Sequence, residues 1–219
     1  MTPANRGWTY LGLCVALFAA PAVALTFKLL GFTRSDSLAV VVRELVILAL
    51  VGFLFWLIRA RERLPLSSIG LQRWPVLPMI FWTIAVLLAF LAALFACLGL
   101  VLPALGLEYG GASGPAASLA VTALVVTRAG IAEEVFYRGY AIERIKALTG
   151  STAIAAFVPL ILFAAFHYTQ GVAGVIVALC VGAVATAFFL WRRNLAVLIV
   201  AHFLTDFIPN VAFPMMSGR

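Results

Sequence analysis

The sequence predicts an all-α membrane protein, a polytopic transmembrane helical bundle of about seven to eight spans enclosing a polar intramembrane cavity. Three observations carry this. Hydrophobic residues make up 65% of the 219 positions and charged residues only 11%, which excludes an ordinary water-soluble globule. Apolar runs of about 20 residues, the length a helix needs to cross a bilayer, fill most of the chain from Trp8 to Phe213. The short alternating segments of a membrane β-barrel are absent. A single integral membrane domain over residues 1–219 follows, with the lipid bilayer as its surroundings.

The spans are expected in this order. The first, 8–30, is too long for a removable signal peptide and lacks a small-residue cleavage site, so it stays as a span. The second, 38–58, runs into Arg59, Arg61 and Arg63, with Arg73 just before the third at 76–102. That third segment is long enough to be split. The fourth, 116–148, begins apolar with SLAVTALVV and ends polar with ERIKALTGS. A turn at Thr149, Gly150 and Ser151 leads to the fifth, 151–167. The sixth, 171–191, ends at Arg192 and Arg193, and the seventh, 195–213, is interrupted by Pro209 and Pro214, which are expected to stop it short of the far surface.

Lys and Arg concentrate in cytoplasmic loops. The rule puts the Arg59–Arg73 loop and the Arg192–Arg193 turn inside with the N-terminus, and LEYGGASGPAAS, which includes Ser113, outside. Lys28, Arg34 and Arg43 fall on the outer side, against the rule. The net charge of +7 is thus topological. Its basic residues lie between apolar runs and form no stripe with interleaved aromatics, which argues against nucleic acid as a partner. Cys14, Cys97 and Cys180 sit in apolar surroundings with no metal or CxxC spacing and read as small buried hydrophobes.

Charge inside the spans is the informative departure. AEEVFYRGY, 132–140, brings Glu133, Glu134 and Arg138 to the middle of the fourth span, where ionisable groups cost several kcal/mol unless they face a partner or a wet cavity. Glu134 and Arg138 stand at i and i+4 with the acid first, the favourable order for a same-face pair. Glu133 points about 100° away and is left without that partner, which makes it the better catalytic candidate. Two histidines complete the set, His167 in FAAFHYTQG and His202 in LIVAHFLTDF. Reflection about Gly150 takes position 133 onto 167, so an antiparallel hairpin places Glu133 and His167 at similar depth. His202 shares a helix face with Asp206 at i+4.

A carboxylate beside an imidazole in a site mostly closed to water can hold a water molecule, remove its proton and direct it at an amide carbonyl. A second His–Asp set suits the developing oxyanion. Nucleophile chemistry is weaker, because GxSxG is absent and no Ser or Cys is paired with either histidine. A metal reading uses Glu133, His167 and His202 as a two-His, one-carboxylate set with Asp206 as a further ligand, but HExxH is missing, and the reading adopted has no metal and no cofactor. Two noncatalytic alternatives are a membrane scaffold, immunity or export protein, and a transporter with a proton relay. The paired broken helices of transporters are not evident.

With those residues set out, the chain resembles the CAAX prenyl protease and bacteriocin-processing family, also called the Abi family. EEVFYRG is similar to its EExxxR motif; FAAFH, Phe163 to His167, to its FxxxH motif; HFLTD, His202 to Asp206, to HxxxN or HxxxD. The resemblance covers roughly 116–213, which would be the catalytic core. It implies an intramembrane glutamic endopeptidase with a cavity open to the cytoplasm, acting on a peptide or lipidated protein tail. It further implies that Glu133 and His167 activate water, His202 with Asp206 stabilises the oxyanion, and Glu134 and Arg138 support the site. Eukaryotic and archaeal members remove the last three residues of prenylated CAAX proteins. Typical CAAX proteases carry Asn where this chain has Asp206, whereas bacterial-type members often carry Asp, so a bacterial-type inner membrane is the expected location. Arg128 has no role in the motifs, and a pairing with Asp206 or Glu108 is expected for it.

Overall fold

The computed structural model describes residues 3–33, 35–110 and 118–216, the first three by backbone only. Arg34 and Ser113 lie outside the described residues. Within them every regular element is helical. Seven helices are numbered here as α1 (3–29), α2 (Ser37–Arg61), α3 (Val76–Ala104), α4 (119–149), α5 (152–170), α6 (Gly171–Arg192) and α7 (Leu195–Met216). A short 3₁₀ turn, Leu66–Ile69, lies between α2 and α3.

Five unbroken helical runs among the described residues are long and apolar enough to cross a membrane, the longest being Thr152–Arg192. That run is two helices. Gly171 has φ +76, a backbone region open to glycine, and a Cβ on Gly182 would lie 2.9 Å from Leu160 and 3.1 Å from Phe163, a contact that only folding α6 back on α5 permits. The remaining helix, α4, has crossing length, but Arg128, Glu133, Glu134 and Arg138 set it apart from the apolar runs. The seven helices agree with the seven spans expected. One expectation is corrected: α7 runs through Pro209 and Pro214 to Met216. The helix accommodates them by widening into π-type turns over Ile208–Ala212, and Asn210 donates its side-chain amide to the Asp206 carbonyl at 2.7 Å.

Helix ends in a bilayer protein must still satisfy their backbone groups. Ser118, Ser151 and Asn194 do so as N-caps, their side-chain oxygens accepting from Val121, Ile154 and Val197 N–H at 3.4, 3.2 and 3.1 Å. These caps fix where α4, α5 and α7 begin, and hence the depth of the polar residues each carries.

The arrangement is that of a membrane bundle with α4 inside. All nine residues of Glu134–Ile142 are buried, whereas Leu38, Val42 and Leu45 on α2, Phe81, Ile84 and Leu88 on α3 and Phe157 and Ile161 on α5 are exposed. Large apolar side chains at that helical spacing form a surface suited to lipid rather than water. The loops at 62–75, 149–151 and 192–194 gather at one end. Leu195 N–H donates to Gly70 at 2.9 Å, Gln72 Nε2 to the Arg193 carbonyl at 2.9 Å, and Arg193 pairs with Glu143 at 2.7 Å. Aromatic rings mark the same end: Arg192 lies over Trp74, Trp82 and Trp191, and Arg61 over Trp8 and Trp56, a pairing typical of a membrane–water interface.

Just inside that end, a polar lock joins α1, α2, α4 and the 3₁₀ turn. Glu62 is buried and accepts from Thr9 Oγ1 at 3.0 Å, Tyr140 hydroxyl at 2.8 Å and Arg144 Nε at 2.9 Å. Arg144 Nη2 also donates to Ser68 at 3.0 Å. A hydrogen bond to a charged group is worth about 1.5–3 kcal/mol. Tyr140→Phe is therefore expected to destabilise the solubilised protein by about that amount, read as a lower thermal unfolding midpoint. An unchanged midpoint would show that the hydroxyl contributes nothing.

Candidate active site

The polar residues on α4 divide into two sets with different partners. Glu134 and Arg138 form the expected pair, Nη1 donating to Oε1 at 3.1 Å. Arg138 is held from two more directions. Its Nη2 donates to the Gly182 carbonyl at 3.3 Å, and its guanidinium lies 4.2 Å from the centre of the Phe163 ring. Gly182 is needed for that approach, since a Cβ there would come within 3.0 Å of Nη2. From Glu134 to Ile142 the helix widens into π-type turns, a local form that recurs at functional sites.

Glu134 Oε1 has a second donor, His202 Nδ1 at 2.8 Å. An ionised carboxylate can only accept, so Nδ1 carries a proton. The ring is therefore oriented chiefly by Glu134 on α4. Asp206 Oδ2 lies 3.6 Å from His202 Nε2, within ion-pair reach but longer than a hydrogen bond. Glu134 Oε2 is buried with no hydrogen-bond partner among the described residues, an expensive state for a carboxylate oxygen.

Glu133 belongs to the other set. Its Oε1 accepts from Arg128 Nη1 at 3.0 Å, and Arg128 Nε donates to Glu44 on α2. Arg43 donates to the same Glu44 from Nε at 2.7 Å. Arg128 thus pairs with Glu44 and Glu133 rather than with Asp206 or Glu108. Neither contact follows from helical spacing, because i,i+5 is not a same-face spacing and Glu44 lies on another helix. The available signal was Glu44 itself, an acid inside the apolar run SLAVVVRELVILAL.

His167 sits in the 3₁₀ turn Phe166–Gln170 that ends α5. Its Nδ1 donates to the Phe163 carbonyl at 2.8 Å, and its ring lies 4.8 Å from that of Phe163, which in turn packs 5.3 Å from Tyr137 on α4. A carbonyl accepts only, so this contact leaves Nε2 as the basic nitrogen. No hydrogen bond joins His167 to Glu133 among the described residues. Tyr109, in the segment after α3, donates to Gln170 at 3.0 Å; burial, and then the nearby Asp206 carboxylate, raise its hydroxyl above the ordinary tyrosine value.

Exposure sorts the same groups by reach. Side chains of Glu133, His202 and Asp206 retain 20%, 14% and 37% of their surface, against 1% and 2% for Glu134 and Arg138. The first three keep open surface and the last two are sealed. Among the described residues, no three His, Cys, Asp or Glu side chains are grouped closely enough to hold a metal ion.

Residues 115–208 match the family model described as Type II CAAX prenyl endopeptidase Rce1-like. The match starts just before α4, ends in α7 and includes all the site residues named above except Glu44, Arg43 and Tyr109. The comparisons with curated proteins and with solved structures gave no match.

Proposed function

We propose, from the premise that residues 115–208 belong to the Rce1-like family of type II CAAX prenyl endopeptidases, that this integral membrane protein is an intramembrane endopeptidase of the glutamic type with its catalytic core at 116–213. The observation that carries the reading is the sorting of two adjacent acids. Glu134 is sealed into a pair that orients His202, whereas Glu133 keeps an oxygen, Oε2, with no hydrogen-bond partner among the described residues, on a side chain that retains open surface.

In this reading Glu133 Oε2 and His167 Nε2 hold the attacking water between them. Glu133 takes a proton as the water oxygen adds to the scissile amide carbon, then passes it to the departing amine as the tetrahedral intermediate collapses. The oxyanion is met by His202 Nε2–H. That role requires both ring nitrogens protonated, and the carboxylates on either side, Glu134 and Asp206, are the counter-charges an imidazolium needs. In the counter-charge role Asp206 is a carboxylate, which accepts only and does not donate to the oxyanion itself. No metal or cofactor takes part.

The substrate class is a peptide bond near the C-terminus of a lipidated or membrane-associated protein, presented at the basic end of the bundle. The positive-inside rule makes that end, with the N-terminus, cytoplasmic, in a bacterial-type inner membrane. The test is cleavage of a panel of prenylated and unmodified C-terminal peptides by the purified protein, read by mass spectrometry, with metal content measured on the same sample. Cleavage of a lipidated peptide by metal-poor protein is expected. Stoichiometric zinc required for activity would sink the metal-free mechanism, and an intact panel would favour a scaffold.

A further inference from the structure

Glu44 is the one acid on α2 and is fully buried, yet it lies outside the three motifs and the matched segment. A sealed carboxylate in an apolar helix costs stability unless it is paired, and Arg43 alone would neutralise it. Instead a second guanidinium, Arg128, reaches across from α4 and splits its fork between two acids, Nε to Glu44 and Nη1 to Glu133. A planar guanidinium held at two edges cannot rotate. Glu44 cannot meet substrate, because it has no exposed surface.

We infer that Glu44 and Arg128 are positioning residues for the proposed general base, Glu44 fixing the plane of the Arg128 guanidinium and Arg128 fixing Oε1 of Glu133 so that Oε2 is turned to the water. This rests on the reading of Glu133 as the base. It assigns to α2, outside the family match, a share in aligning the site. Misplacing a reacting group by about 1 Å costs on the order of 100-fold in rate, so loss of the hold acts on turnover rather than on substrate capture.

The experiment uses full-length protein in detergent or nanodiscs carrying Arg128→Gln, Arg128→Lys or Glu44→Gln. Two readouts are taken: kcat and KM on a peptide that the wild type cleaves, and labelling of Glu133 by a hydrophobic carbodiimide, mapped by mass spectrometry, which needs no activity. Arg128→Gln is expected to lower kcat about 30- to 100-fold with KM within about twofold, and to raise Glu133 labelling severalfold as the carboxyl is released from the guanidinium. Glu44→Gln shifts both readouts the same way. Arg128→Lys, which keeps the charge but loses the fork, recovers part of the turnover. If Arg128→Gln does not fold, Glu44→Gln, which preserves shape, carries the test. Unchanged Glu133 labelling, or a rise in KM with kcat preserved, overturns the inference. Labelling that rises in a protein that cleaves nothing would sink the protease reading while leaving the hold on Glu133 standing.

Discussion

Glu133→Gln is expected to lower kcat by about 1,000-fold, within the range for loss of a general base, in a protein that still folds. The substitution keeps shape and an acceptor oxygen for Arg128 Nη1, and Arg128 keeps Glu44, so the helix contacts survive. What is lost is the oxygen that accepts a proton from water. Peptide cleavage measured beside thermal unfolding separates the two effects. Full activity in a correctly inserted Glu133→Gln protein would remove Glu133 from the mechanism.

Arg138→Met is expected to act on stability, at a cost of about 3–5 kcal/mol, because it removes the guanidinium from the buried Glu134 carboxylate and leaves His202 as its remaining donor. The cost is the desolvated carboxylate left behind more than the pair's own worth, so Glu134→Gln combined with Arg138→Met should regain much of it. Activity should not return with stability, since His202 then loses the carboxylate that orients it at 2.8 Å. Denaturant unfolding in mixed micelles measures the first part, and peptide cleavage by the double variant the second. An Arg138→Met protein as stable as the wild type would mean that Glu134 gives up its charge without penalty.

The features readable from sequence are those in which one local rule dominates. The spans are legible because a bilayer demands long apolar helices whatever their neighbours. Glu134 and Arg138 are legible because i,i+4 spacing on one helix needs no tertiary knowledge. The residues missed depend on contacts between helices. Glu44 meets Arg128 across the α2–α4 interface, and His202 takes its orientation from α4 more directly than from Asp206 on its own helix. Backbone irregularity hid the rest. The π-type turns of Glu134–Ile142 and the 3₁₀ turn carrying His167 depart from the uniform rise behind the hairpin estimate. The interruption expected at Pro209 and Pro214 did not allow for a helix that absorbs proline by widening.

The Glu62 lock sets an order of events during biogenesis. Tyr140 follows Glu62 by 78 residues and Arg144 by 82. At synthesis rates of about 5–20 residues per second the acid waits roughly 4–16 s for these donors. Until then the end of α2 can stay hydrated at the membrane surface beside its arginines, while α1 and α2 rest in the bilayer on their lipid-facing sides alone. Burial of Glu62 becomes favourable only once α4 has been inserted. The lock that ties α1 and α2 to α4 is thus completed only after α4 has been made.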